Sequence, residues 1–367
     1  MHDRSLKLLF VSTSVGALGS GLGGGVELTL YNMVKSLKKR GHTVCTLAPV
    51  GSALDGVDIV EIPGNLQITA QSQDRQTPIS LPDNSVLGNM WERARQIQGE
   101  FDLIYNFAYD WLPLFLTPFF DRPVVHLVSM GSLNAAIDRI VEQTMTRFPG
   151  RLSFYTHTQA ATFGFTENYP CVGQGLDLSL YQFCPEPGPH LAWMGRIAPE
   201  KGLEDAIAAV DKLGIPLKIW GKMQDEVYWQ EICQTYPNAP VEYGGFLPTE
   251  KLQQELGRCR GLLMTPRWVE AFGNVAIEAL ACGVPVICYR RGGPTEIVRD
   301  GKTGWLVEPD SVDGLVEAIE KLPQLDRRTC RQQAETEYSL AAMGERLEAW
   351  FRQVLSGQSG SMRTTWL

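Results

Sequence analysis

The chain has no apolar run long enough to cross a membrane, no CxxC pair and no excess of positive charge. Each absence removes a class of function. A spanning helix needs about 20 consecutive apolar residues, and no such stretch occurs. The N-terminal run MHDRSLKLLFVSTS is too short in apolar residues for a signal peptide, so a soluble, cytoplasmic protein is expected. A net charge of −8 argues against a nucleic-acid or general anionic-membrane binder, and an anionic ligand would need a local basic site. The eight cysteines, at positions 45, 171, 184, 233, 259, 282, 288 and 330, show no metal-ligand spacing. Contexts such as TVCTL and PVICY mark most of them as buried free thiols, and no metal or cofactor is expected.

What is present is the composition of a folded protein, 44% hydrophobic and 20% charged over 367 residues, which suits two domains of ordinary size. Lys7–Ser14 reads as a buried strand, Val26–Lys39 as a helix and Thr43–Ala48 as the next strand, a βαβ opening for a parallel sheet. Between the first two lies a glycine-rich loop, Gly16 to Gly25. Gly19 to Gly24 formally matches G-x-G-x-x-G, but the glycines arrive late after the strand and the second strand ends Ala48-Pro49-Val50 without a ribose-binding acid. The loop is therefore either merely flexible or a backbone that can approach a phosphate or sugar closely. A nicotinamide oxidoreductase would rest on this fingerprint alone.

Gly64–Gly88 reads as a long polar loop, and Asp102–Asn106, Pro123–Val128 and Leu152–Thr158 as further strands. The aromatics Phe107, Phe115, Phe119 and Phe120 are expected in the core. Tyr109, Asp110 and Trp111 are set apart because they follow a strand's C-terminal end, where α/β sheets bind ligands. Three prolines in Cys184–His190 mark a linker, and a second α/β series runs from there to about residue 339. The expected domains are 1–184 and 185–339, with a C-terminal helix at about 340–356 and a disordered tail at 357–367. The basic run Lys35, Lys38, Lys39 and Arg40 reads as a solvated helix face more readily than as a contact to anionic lipid.

Three stretches of the second half carry charge where a ligand could use it. WVEAFGNVAIEALACGVPV (268–286) reads as a loop with Glu270, then a helix that contains Glu278 and stops at Gly283 and Pro285. The backbone N–H groups of Phe272, Gly273 and Asn274 at its start suit an anion, and the two glutamates could hold sugar hydroxyls on either side. In Gly195-Arg196-Ile197-Ala198-Pro199-Glu200-Lys201-Gly202, Gly195 permits close approach, Arg196 offers a planar fork and Lys201 a point charge, a combination suited to a diphosphate. Phe246 and Leu247, in Tyr243-Gly244-Gly245-Phe246-Leu247-Pro248, could pack a planar base. Arg291-Gly292-Gly293-Pro294-Thr295-Glu296 is another glycine turn that could meet phosphate or sugar.

Together GRIAPEKG, the E-x7-E pair Glu270 and Glu278, GGPTEIV and DGKTGWLVEPD resemble the retaining glycosyltransferases of GT-B fold and GT4 type, the glycosyl transferases of group 1. The resemblance also takes in Gly21–Gly25, KSLKKRGHTV and GQGLDLSLYQF (173–183), so it covers nearly the whole chain. It implies two Rossmann-like doubly wound domains facing across a cleft, with the C-terminal one holding the donor. Arg196 and Lys201 would then bind the donor diphosphate, Glu270 the transferred hexose and Glu278 the ribose. Phe272, Gly273 and Asn274 would supply backbone contacts beside Gly195, Phe246 and Leu247 would line the base, and Gly24 would approach the phosphate from the N-terminal side. Glu270, Arg196 and Lys201 are the expected catalytic groups. Two cations and a helix N-terminus can stabilise the leaving diphosphate without a metal, and no DxD motif stands at a strand end.

The resemblance implies a UDP-sugar donor such as UDP-glucose and front-face attack by an acceptor hydroxyl, hence retention. One departure concerns the acceptor side. The family's histidine at the end of the strand PVVHLVS corresponds to Ser129, while His126 lies three residues earlier and so on the opposite face. The acceptor candidates are accordingly Tyr109, Asp110, Trp111 and Ser129. Donor and acceptor are expected to be small molecules, the acceptor a planar one such as a pterin, with lipid or polysaccharide transfer at a membrane surface and loss of catalysis as the alternatives.

Overall fold

The computed structural model describes residues 4–22, 25–167 and 169–357. The chain divides into two compact units, Met1–Gly175 with Leu340–Leu367, and Leu176–Ser339. Gly24 and the tail beyond residue 357 lie outside the described residues.

The N-terminal unit holds six parallel strands, β1 (Lys7–Val11), β2 (Thr43–Pro49), β3 (Asp58–Ile62), β4 (Leu103–Asn106), β5 (Val124–Leu127) and β6 (Leu152–Ser153), in the order β3-β2-β1-β4-β5-β6. Apolar runs such as LLFV bury both faces, as a parallel sheet covered by helices on both sides requires. Its helices are α1 (Gly25–Lys39), α2 (Val86–Ile97), α3 (Trp111–Leu116), α4 (Ala135–Arg147) and α5 (His157–Ala161). The C-terminal helix Leu340–Ser356 packs in this unit against α1. There Ser36 Oγ donates to Leu340 O at 2.6 Å, and a Cβ on Gly344 would stand 2.2 Å from that Oγ, so only glycine lets the two helices approach.

The second unit repeats the same winding. Its strands are β7 (Leu191–Met194), β8 (Leu217–Trp220), β9 (Val241–Tyr243), β10 (Leu262–Met264), β11 (Val286–Tyr289) and β12 (Gly304–Val307), all parallel in the order β12-β11-β10-β7-β8-β9. Its helices are α6 (Leu203–Leu213), α7 (Glu226–Thr235), α8 (Thr249–Gly257), α9 (Asn274–Ala281), α10 (Pro294–Ile297), α11 (Val312–Glu320) and α12 (Arg327–Glu337). In each sheet the direction of winding reverses between the first and fourth strands, which is where open α/β sheets place ligands. The C-terminal ends of β1 with β4, and of β7 with β10, are thus the positions to inspect.

Several expectations need correction. The chain passes into the second unit at 175/176, not at 184/185. Residues 176–184 are held there because Leu176 N–H donates to Tyr338 O at 2.7 Å, Cys184 N–H donates to Cys282 O at 3.2 Å and the Phe183 ring packs on Gly283. The proline-rich stretch is therefore a surface turn of that unit. Leu152–Thr158 is a strand only to Ser153, because the Thr156 side chain caps α5. β3, with its mostly exposed DIVE, and α2, entered at the end of the expected 64–88 loop, were not anticipated. Phe115 and Phe119 are exposed, Phe115 stacking on Trp111 at 4.5 Å, so they are not core. Four of the eight cysteines are buried, Cys259, Cys282, Cys288 and Cys330, while Cys233 is exposed.

Candidate functional site

Because β7 and β10 are neighbours, the loops that leave their C-terminal ends run side by side. Backbone contacts join them. Gly202 adopts φ +62°, and a Cβ there would stand 2.1 Å from Thr265 O, so no other residue permits this approach. Thr265 Oγ1 donates to Gly202 O at 2.6 Å, and Arg267 N–H donates to Glu200 O at 2.9 Å. The loops after β7 and β8 meet as closely, since a Cβ on Gly221 would stand 1.7 Å from Gly195 O. Arg267 clamps the rim by ion pairs to Glu204 and Asp205 at 2.7 and 2.8 Å.

This framework sets Lys201 Nζ 2.5 Å from Glu270 Oε2, across 69 residues of sequence. Trp268 Nε1–H donates to the same oxygen at 3.0 Å, and the ammonium lies 4.9 Å from the centre of the Trp268 ring. The pair is only about one-fifth exposed. A charge pair held in so little water is costly unless further polar partners share it. Arg196 stands apart from this pair, with one guanidinium nitrogen 2.8 Å from Glu200 and another on Gln224 Oε1.

The glycine turn at 292–293 does not present itself to solvent as an anion cradle. Cβ atoms on Gly292 and Gly293 would stand 2.5 Å from Glu270 N and Phe272 O, and Gly293 N–H donates to Glu270 O at 2.7 Å. It is a buttress that supports the Glu270–Phe272 backbone. Beyond it Gly273, at φ +104°, caps α9 without a side chain, and Phe272 is buried while Asn274 is half-buried. No capping side chain occupies the first-turn N–H groups of α9, a position where an anion is stabilised. Ala276, Ile277, Ala279 and Leu280 bury the opposite face of the helix.

Glu278 faces a different neighbour. Its half-buried carboxylate accepts the Tyr181 hydroxyl at 3.3 Å, and surrounding protein raises its pKa to about 7 by burial, against the smaller opposing effect of that hydrogen bond. Leu247 lines a cavity of about 440 Å³ with Lys218, Trp220, Glu242 and Lys251, whereas Phe246 is 76% exposed. None of Arg196, Lys201 and Glu270 lines that cavity. The ion-paired strand ends are thus separate from this cavity.

In the N-terminal unit the described part of the glycine loop already holds an anion. Gly19 and Gly21 N–H groups donate to Glu27 Oε2 at 2.9 and 3.2 Å, so these amides serve the chain's own carboxylate. At the end of β4, Asp110 caps α3 by accepting Leu112 N–H at 3.0 Å and accepts Gln67 Nε2–H at 3.1 Å. Burial raises its pKa above the ordinary carboxylate value. Ser14 Oγ donates to Gln67 Oε1 at 2.7 Å, which joins the ends of β1 and β4 through the 64–85 segment. Tyr109 OH donates to Gly131 O at 3.0 Å, and Ser129 is buried. His126 is buried within β5 with Nε2 at 2.9 Å from Thr117 Oγ1, and burial lowers its pKa to about 3.

The structure thus brings Lys201 to Glu270, three residues before the Gly273 cap of α9, and holds Arg196, Glu278 and Leu247 on separate partners. Sequence reading passed over Trp268, Gln67 and Ser14. Trp268 stood two residues before Glu270, which is the signal that could have flagged it; nothing local distinguishes Gln67 in its polar loop.

Glycogen synthase of Mycobacterium tuberculosis is 30% identical over 244 residues, 58% of this chain and 58% of that protein, so the chain spans little more than half the length of this relative. D-inositol 3-phosphate glycosyltransferase of Rhodococcus erythropolis is 26% identical over 378 residues, 88% of this chain and 84% of that one. Among solved structures, AviGT4, a glycosyltransferase of avilamycin A biosynthesis, superposes with a TM-score of 0.72 at 20% identity, over 96% of this chain and 99% of that one. Anabaena HepE in complex with UDP and glucose superposes with a TM-score of 0.70 at 20% identity, over 96% and 100%. Residues 184–338 match the family model for glycosyl transferases group 1, and the two doubly wound sheets have the GT-B fold of these solved glycosyltransferases.

Proposed function

We propose that the protein transfers a hexose from a nucleotide-diphosphate sugar, a UDP-sugar such as UDP-glucose, to an acceptor hydroxyl, with retention at the anomeric carbon and without a metal. The observation that carries this reading is the Lys201–Glu270 pair at the switch point of the second sheet, on the loop that leads into the glycine-capped start of α9. A diphosphate finds there an ammonium and backbone N–H groups, with Arg196 five residues before Lys201 in the same loop; the hexose finds a carboxylate that can accept its hydroxyls. HepE, of the same fold, binds UDP and glucose.

In the transfer the bond from the anomeric carbon to the diphosphate oxygen breaks, and the electron pair leaves with the diphosphate. Lys201 and the α9 dipole stabilise that charge, an electrostatic contribution worth about 3–4 kcal/mol per well-placed donor. The acceptor oxygen bonds to the same face of the anomeric carbon, and its proton passes to the departing diphosphate oxygen. Acceptor contacts fall to the strand ends of the N-terminal unit, where Tyr109 and Trp111 follow β4, and to Ser129, which follows β5. A planar acceptor such as a pterin suits the aromatic pair Trp111 and Phe115.

The test is incubation of the protein with UDP-glucose, with and without a chelator, across an acceptor panel that includes pterins, followed by NMR of the product's anomeric proton. The expected product is the α-anomer, formed at an unchanged rate with chelator. A β-linked product or complete loss of rate on chelation removes the proposed mechanism, and absence of both transfer and UDP-glucose hydrolysis removes the activity.

A further inference from the structure

We infer that Trp268 is a positioning residue for the transfer, holding Glu270 in place while Lys201 turns to the diphosphate. The inference rests on the proposed use of Lys201 and Glu270. Two donors meet on one atom: Lys201 Nζ at 2.5 Å and Trp268 Nε1 at 3.0 Å both contact Glu270 Oε2, and the ammonium lies 4.9 Å from the indole ring centre. No part of the family resemblance gives Trp268 a role.

The two donors on Oε2 differ in what they do when an anion arrives. A diphosphate carries more negative charge than one carboxylate, and an ammonium on a four-carbon stem follows it. Glu270, about one-fifth exposed, would then lose its cation, and a carboxylate kept from water without a partner is strongly disfavoured and free to turn away. The indole N–H is neutral and rigid, and it sits two residues from Glu270 on a loop buttressed by Gly292 and Gly293. It does not follow the diphosphate. It keeps Oε2 occupied and leaves Oε1 for a sugar hydroxyl, while the ring face gives the displaced ammonium a second place to rest. The ion pair of the empty site and the sugar-holding carboxylate of the filled one are two settings of the same triangle, with the indole as its fixed corner.

Removing the N–H while keeping a ring should therefore damage hexose handling and spare nucleotide binding. The experiment compares Trp268→Phe and Trp268→His with the wild type, by calorimetry with UDP and by turnover of saturating UDP-glucose, with hydrolysis as the acceptor-independent readout. For W268F we expect UDP affinity within about twofold of wild type and turnover down about tenfold, the size of one hydrogen bond to a charged group. W268H, which restores a ring N–H, should recover part of that loss. W268F turnover within twofold of wild type overturns the inference, and so does W268H no better than W268F. A wild type that binds no UDP overturns the donor assignment itself, a result distinct from either.

Discussion

The two units share one winding and differ in what stands at the switch point. In the N-terminal unit the anion-friendly positions are satisfied from within: the glycine-loop amides bind Glu27, and both Asp110 oxygens are taken by Leu112 N–H and Gln67. In the C-terminal unit the same position carries an ammonium, a carboxylate and a helix start without a capping side chain. A doubly wound sheet decides where a site can be, because the reversal of winding opens the strand ends there. Whether that place calls for an outside ligand depends on whether its charges and N–H groups already have partners inside the chain. In the second unit Lys201, Glu270 and Trp268 also pair with one another, so the contrast lies in the charges carried, a cation beside a carboxylate at a helix start, and the proposed donor role rests on that.

The strongest way to break the contrast is Lys201→Ala. Loss of the Lys201 ammonium at Glu270 should cut UDP-glucose turnover by ~10²–10³-fold, in line with removal of a preorganised electrostatic donor. The fold should survive, because Trp268 still holds the carboxylate. Steady-state turnover with a thermal melt as control gives the answer, and near-normal activity in a folded variant would move the diphosphate elsewhere.

A second contrast concerns the backbone that builds the site. Gly202→Ala forces a left-handed residue and places Cβ 2.1 Å from Thr265 O, so we expect a loss of more than ~3 kcal/mol in stability together with activity. Gly41→Ala, at φ +87° but with nothing within 4 Å, should cost only ~1 kcal/mol. Denaturant midpoints of the two variants measure the difference, and equal losses would show that close approach is not what requires Gly202.

Much of this was legible in the sequence because the second unit keeps strong local signals. Helix Leu203–Leu213 and strand Val241–Tyr243 fall where periodicity and turn residues put them. The charged groups sit in glycine-marked turns after strands, so their place at strand ends followed. Illegible features depend on pairings that no local pattern announces. Glu27 as the partner of Gly19 and Gly21, the buttress of Gly292 against Glu270, and Gln67 bridging Ser14 to Asp110 join residues whose local patterns say nothing of one another. β3 escaped because its exposed edge residues Asp58 and Glu61 break the apolar run.

pH sharpens the comparison within the donor side. Burial raises Glu278 to about 7, so the stability that goes with its protonated form is complete below its ordinary value of 4.5 and is lost as pH rises from there through about 7. If Glu278 holds the ribose as proposed, the hydroxyls donate to its charged form, and donor binding has the opposite sign. UDP-glucose, whose diphosphate is esterified at both ends, should bind about tenfold more tightly at pH 8 than at pH 6, which is ~1.4 kcal/mol. Calorimetry across that range checks it. Glu278→Gln should flatten the profile, and an unchanged slope in that variant would take the ribose away from Glu278.

The smallest effect should come from Asp110→Asn. If Asp110 drew a proton from the acceptor, loss of its charge would cost 10²-fold or more in turnover. Its geometry points the other way. Oδ1 caps α3 through Leu112 N–H, a task asparagine performs almost equally well, and Oδ2 accepts from Gln67. An amide flip of Gln67 can restore that second bond, at the expense of the one from Ser14. The proposed front-face transfer would give the proton to the leaving diphosphate and would need no carboxylate base on the acceptor side. We therefore expect turnover within about threefold of wild type, with any change in acceptor KM arising through the seating of Trp111 at the start of α3. A hundredfold loss of turnover at unchanged stability would instead make Asp110 the base, and the N-terminal unit would then contribute chemistry as well as a place for the acceptor.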